Sequence, residues 1–582
     1  MLFIASRMRT WLEETHSTGF ELRRHFFLRF FDSELVSSPG QWRVVAGGVL
    51  AILLSLSLVW VPAYYHKYLE LNLRDTAEPL RMAALADALF LISLAMLCSG
   101  LFTALEWASL FPSLRDYLAL AGQPVRWRDV FVAKFSALAT FGALVTLAIA
   151  LPPSALLPMV MAGPNAGNAA ILVPAIFAAC FLAGLFVFFS LVALQGIMLN
   201  LLAVAAFARV SLAMQGLLLT TLLCATPLVL SVPDLHGQMS ARPDWAVYVP
   251  PLWFLGLEQT IAGNHEPLAV GLAWLALAGS LASACAAVLT YLWSYRRHRV
   301  RLLESSAPRS AADRRGWTAR LADRISGHFD SREVAVFSFI GKTLARSRPQ
   351  RLVLTAYGGL AVAMIFESFA GIVFARTFRG FSAPAPALRQ AAISAPLALS
   401  LFLLCGFRYL FRLPVELRAN WVFRVNSPGN RLYFLSAVER FLICWAVAPV
   451  AILTFPLEVW LLGPGPGAVA TVLCLLPSLT LMELLLLKFE KIPFTSSYLP
   501  GQRPLVQTLL IYVLAVGGYV SLLSGLILVC LHSARATAVL FALLAAAWWR
   551  ARTARMMDRE IGSLEYEEVQ EPAVLTLGIG RD

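Results

Sequence analysis

The sequence predicts an all-α fold, a polytopic bundle of membrane-spanning helices. Of its 582 residues 59% are hydrophobic and 14% charged, with a mean hydropathy of +0.71, too apolar for a soluble domain of that size. The apolar residues recur in runs of about 20, enough to cross roughly 30 Å of hydrocarbon at about 1.5 Å per residue. Backbone groups in that layer must be satisfied within the chain, which implies helices rather than a barrel.

The order of elements follows from charge and periodicity. Residues 1–43 form a cytoplasmic N-terminal segment, too long and too polar for a secretory signal. Within it, residues 20–35 place Leu22, Phe26, Phe27, Phe30 and Phe31 on one side of a helical wheel and Glu21, Arg24 and Arg29 on the other. This pattern predicts a helix lying in the membrane interface, with Arg23 snorkelling out of the apolar arc. Spans are predicted at 44–65, 84–107, 131–151, 169–194, 211–232 and 267–293, forming a first six-span half over 44–294. A basic cytoplasmic linker, 295–351, follows, a flexible tether in its first part. In its second part, 332–346 put Val336, Phe337, Ile340 and Leu344 on one stripe, so a second interfacial helix precedes the second half. That half, 352–550, holds spans at 352–375, 388–408, 438–462, 467–487, 507–530 and 534–550, and residues 551–582 form a tail.

The charge distribution orients this layout. With both termini inside, 39 of the 47 Lys and Arg residues fall on the cytoplasmic side. That asymmetry explains the formal charge of +13 without nucleic acid as a partner. The richness in Arg over Lys fits a bacterial chain, and the predicted location is the cytoplasmic (inner) membrane. Among the outer loops, 233–266 stands apart: its prolines, Trp245, Tyr248 and Trp253, and the apolar run Leu255 to Ile261 predict a helix dipping into the outer leaflet, or a solvated loop with an aromatic belt.

The chain is organised around Leu110 to Phe135, an elbow too charged to be membrane, set between the second and third spans. It holds Arg115, Asp116, Arg126, Arg128 and Asp129 and turns at Gly122 to Pro124. Leu410 to Phe441 occupies the equivalent place in the second half. Both open on Leu-Phe, carry an acidic residue at Asp116 or Glu416, turn at a proline, and share a final Arg-x-x-Phe, Arg128 to Phe131 and Arg431 to Phe434. Equivalent placement argues for duplication of a six-span unit.

Chemistry is sparse. The nearest approach to a phosphate-binding GxxxxGK[ST] loop is Gly341-Lys342-Thr343, with Val336 where the first glycine should stand, so no ATP hydrolysis is expected in this chain. All eight cysteines sit in apolar runs and read as free thiols, and neither a metal cluster nor a catalytic triad emerges. Residues 318–329, TARLADRISGHF, are similar to a loop motif of major-facilitator carriers but lack its leading glycine. Ionisable residues inside the bilayer are costly and therefore candidates for function. Glu367 lies near the middle of its span, with Asp87, Glu106, Arg408, Glu458 and Glu483 nearer span ends. Glu367, Asp87 and Arg408 are the candidates for a substrate path, Glu367 also serving as the group a proton-coupled carrier would use.

With its interfacial helix, its RDYLALAGQPVRWRDVFVAKF elbow and its Pro-Trp-rich outer segment, the chain resembles the membrane (permease) subunits of type-2 ABC exporters, here with two six-span halves fused in one chain. The resemblance implies that each elbow contains a coupling helix docking on a separate ABC ATPase subunit, two copies serving the two halves. It places Arg115, Asp116, Arg126, Arg128 and Asp129 at that contact, and Glu416, Arg418, Arg424 and Arg431 at its counterpart. ATP and Mg would reside in the partner, with no cofactor in this chain, and fusion would make a second permease chain unnecessary. The alternative is a twelve-span secondary carrier of major-facilitator type, driven by a proton or sodium gradient.

Overall fold

The computed structural model describes residues 17–29, 61–71 apart from 63, 77–111, 126–161, 166–230, 247–306, 331–379, 385–413, 425, 432–487, 489, 493–495 and 515–561. Among these the regular structure is helical throughout. Eight helices are long and apolar enough to cross a membrane. By its contacts the chain divides into two units, Met1–Ser310 and Ala311–Asp582, the boundary falling inside the predicted linker.

The first unit contains α1 (Ser17–Arg29), α2 (Ala77–Leu105), α3 (Trp127–Met161), α4 (Ala166–Leu201), α5 (Val204–Leu230), α6 (Pro250–Ile261) and α7 (Pro267–Ser306). Its centre is α4, which packs against α2, α3, α6 and α7. Ala175, Ala179 and Ala183 recur at helical spacing along it, all fully buried, and such small residues let backbones approach where lipid offers no hydrophobic drive to association. The second unit contains α8 (Ser331–Arg346), α9 (Arg348–Arg379), α10 (Ala385–Leu410), α11 (Leu432–Leu442), α12 (Ala448–Leu462), α13 (Pro464–Leu485), α14 (Leu523–Cys530) and α15 (Ala534–Ile561). A π-helical turn at Ile443–Val447 joins α11 to α12, and another at Val516–Leu522 leads into α14. Here α10 is central, burying Ile393, Leu397, Leu401 and Leu404 along one face.

Several predicted boundaries move. The span expected at 131–151 lies within the 35-residue α3, which continues through Pro152, Pro153 and Pro158; Ser154 Oγ bonds back to the Ala150 carbonyl 2.5 Å away. At about 1.5 Å per residue α3 exceeds the hydrocarbon thickness. Arg128 and Asp129 therefore lie in its first turn, not in a separate elbow helix. The segment predicted to dip into the outer leaflet is α6, with Leu252, Phe254, Leu255 and Leu257 buried against neighbouring helices of its unit. Over Pro250–Ile261 it is a packed helix rather than a solvated loop, and residues 233–246 lie outside the described residues. The predicted span 211–232 corresponds to α5, whose apolar part, Val210–Thr226, is shorter than a full crossing. In α15 the apolar middle is flanked by Arg535, Arg550, Arg552 and Arg555. Residues 44–60 and 507–514 of two further predicted spans lie outside the described residues.

Candidate functional site

The elbow ends of both units are built alike from aromatic and aliphatic side chains. In the first unit Trp107, Leu110 and Phe111, just past the end of α2, are buried with Val130 and Phe131 at the start of α3. The Trp107 indole donates to Ser211 Oγ at 2.9 Å, and Gln195 Nε2 donates to the Trp107 carbonyl at 2.9 Å, so α4 and α5 both grip this turn. Phe111 stacks on Tyr291 of α7 with ring centroids 4.6 Å apart. In the second unit Phe407, Leu410 and Phe411 take the corresponding places and are buried with Phe434. The Phe494 amide donates to the Phe411 carbonyl at 3.2 Å, and the Phe494 and Phe489 rings close over Phe411.

Each unit also docks its amphipathic helix on the helix that follows the elbow. Leu22 and Phe26 of α1 are buried against α3. Lys134 Nζ lies 5.1 Å from the Phe26 ring centroid, a cation–π contact within the packed layer. Arg23, the residue out of step with the apolar arc, turns out to solvent and donates to Ser136 Oγ at 3.0 Å. In the second unit Val336, Phe337, Ile340 and Leu344 of α8 are buried against α11. Glu333 accepts from Ser436 Oγ at 2.5 Å and forms an ion pair with Arg440.

Of the predicted partner-contact residues, Arg126, Arg128 and Asp129 are exposed around the start of α3, where the Asp129 amide bonds the Arg126 carbonyl at 2.9 Å. Arg115, Asp116, Glu416, Arg418, Arg424 and Arg431 lie outside the described residues. The substrate-path candidates occupy unlike settings. Glu367 is exposed on α9. Asp87 is buried and fully engaged: Lys67 Nζ lies 2.7 Å from Oδ2, and the Tyr68 hydroxyl donates to the same oxygen at 2.8 Å. Burial and the neighbouring Asp87 carboxylate push the Tyr68 hydroxyl well above the usual phenol range. Arg408 is half-buried, its guanidinium 4.6 Å from the Phe489 ring centroid.

One group of charges near the elbow end of the second unit escaped the sequence reading. Glu439 of α11, Glu483 of α13, and Arg552 and Arg555 of α15 form one cluster, with Arg552 Nη1 3.2 Å from Glu439 and 3.6 Å from Glu483, and Arg555 paired to both carboxylates. The signal was the arginines at helical spacing beyond residue 550, which α15 carries back into the protein. Among the described residues no group of His, Cys, Asp and Glu could hold a metal ion, and the eight cysteines are free.

No protein-family model matches the chain, and no curated protein or solved structure matches it.

Proposed function

We propose that this chain is the membrane subunit of an ATP-driven exporter of the bacterial inner membrane, its two six-span halves moved by a separate ATPase acting on the elbows. The observation that carries the reading is the repeated docking of an amphipathic helix on the helix after each elbow, α1 on α3 and α8 on α11. A load applied at Arg126, Arg128 and Asp129 enters α3 directly through its first turn. It passes to the rest of the unit through close-packed rings, Phe111 and Phe131 against Tyr291, which transmit displacement because packed interiors deform little. ATP binding that draws two partner ATPases together would then shift the halves as bodies and open an outward path. It can bias that equilibrium only as far as it favours one state over the other.

The test is co-purification of the full chain with its ATPase, followed by the double change Arg126→Glu and Arg128→Glu. The expected result is normal membrane insertion with ATP hydrolysis no longer stimulated by the membrane subunit. Unchanged stimulation counts against the elbow assignment. Transport that instead follows a pH gradient and requires Glu367 establishes the secondary carrier.

A further inference from the structure

The GPGPG turn at residues 463–467 does more than reverse the chain. Gly463 adopts φ +93°, a left-handed conformation open to glycine, and closes α12. Gly467, one turn into α13, lies so close to α12 that a Cβ there would fall 2.8 Å from Val459 Cα and 3.0 Å from the Glu458 carbonyl carbon. That approach sets Thr471, the next residue along the same face of α13, against the side chain of Glu458.

Glu458 is fully buried, and among the described residues it has no ion-pair partner, while its Oε1 has no hydrogen-bond partner. Its other oxygen, Oε2, is in hydrogen-bond contact with Thr471 Oγ1, and Thr471 Oγ1 also lies 3.0 Å from the Gly467 carbonyl. A threonine hydroxyl has one proton and cannot donate to both acceptors. If the carboxyl carries a proton the conflict disappears: the acid donates to Thr471, and Thr471 donates to Gly467. The same proton removes the cost of an unpaired charge inside the protein. On the elements packed against α12, the titratable and charged groups are Cys474 and Glu483 of α13, Arg389, Cys405, Arg408 and Tyr409 of α10, and Cys444 of the π-helical turn. Of these, Cys474 lies beside Glu458, and none forms an ion pair with it among the described residues.

A small pocket adjoins the site. Its volume is about 10 Å³, and Thr471 lines it together with Cys474 and Ser478 of α13, Pro396 of α10 and Val447 of the π-helical turn. That is room for about one water molecule. Ser478 Oγ donates to the Cys474 carbonyl at 2.8 Å and sits near Tyr519 on the second π-helical turn, whose Oη lies 3.3 Å from Ser400 Oγ, so polar side chains continue from the edge of the pocket into an otherwise apolar bundle. Such π-helical insertions recur at functional positions.

We propose that Glu458 is a proton-binding site: its carboxyl takes a proton from hydronium, leaving water, and returns it by the same route through the pocket beside Thr471. The proposal does not depend on ATP coupling, so it can fail or stand apart from the exporter reading.

The test is infrared spectroscopy of the full chain in lipid nanodiscs, wild type against Glu458→Gln, in H2O and D2O. At neutral pH the wild type is expected to show a protonated-carboxyl carbonyl band that E458Q loses and that shifts in D2O. Identical wild-type and E458Q spectra in this region mean an ionised carboxyl and overturn the proposal. A band that never shifts in D2O means a sealed acid and overturns it equally. Thr471→Val, which keeps the carboxyl and removes its partner, covers the case in which E458Q does not fold: the band should remain but move in frequency, and its absence or an unmoved position refutes the site.

Discussion

Arg555 of α15 and Glu483 of α13 form an ion pair from which solvent is excluded, their side chains 1% and 0% exposed. With Glu439 and Arg552 the group is formally neutral, and it ties α15 to two other helices of the second unit, α11 and α13, at the elbow end. In the first unit the elbow end is packed instead by Tyr291 set among Phe111, Phe131 and Phe135. Removing one partner of a buried pair leaves the other charge stranded. Arg555→Met is therefore expected to destabilise the second unit by about 3–5 kcal/mol, seen as a lower midpoint in thermal unfolding. Adding Glu483→Met to it should recover part of the loss, since the stranded carboxylate is then gone.

The docking of α1 rests on few side chains. Phe26 is fully buried, and truncating it leaves both a cavity and Lys134 without its ring. Phe26→Ala is expected to cost about 3–5 kcal/mol, enough to release a thirteen-residue helix that is marginal on its own. Hydrogen exchange should become fast across α1 and stay slow in the middle of α4. Protection of α1 in the mutant would show that other contacts hold it.

At Gly256 α6 lies close against α7. A Cβ there would lie 2.5 Å from Leu272 Cβ and 2.8 Å from the Ala269 carbonyl oxygen, the latter backbone that cannot swing aside. Gly256→Ala should lower stability by about 1–3 kcal/mol and loosen α6, read as increased exchange at Leu252 to Glu258. The same change at Gly271, with open space around it, should be silent.

Stability should also depend on pH through Glu258 of α6, a helix outside the spanning set. Burial pushes its carboxyl up to about 7 from an ordinary 4.5. The folded state thus binds this proton more tightly than the unfolded chain. Its contribution is complete below about pH 4.5 and is lost as pH rises through about 7. Unfolding midpoints in nanodiscs should fall across that window in the wild type. In Glu258→Gln this part of the slope should vanish, and an unchanged slope would assign it to other groups.

The sequence by itself determined the membrane class, the helical content and the face each amphipathic helix buries. Spacing alone placed Leu22 with Phe26 and Val336 with Ile340 on buried stripes, because these are properties of single helices and of transfer from water. Helix ends were less legible: α3 runs past three prolines and α15 past its apolar core, since a polytopic chain finds partners there for groups that a lone helix would leave exposed. Only the tertiary structure decided which buried charges are paired. Asp87 meets Lys67 and Glu483 meets Arg555, whereas Glu458 meets only a threonine hydroxyl. The reason is physical: the fate of an ionisable group is set by what comes within a few ångströms of it, and those neighbours lie on other helices, at separations in the chain that no local pattern records.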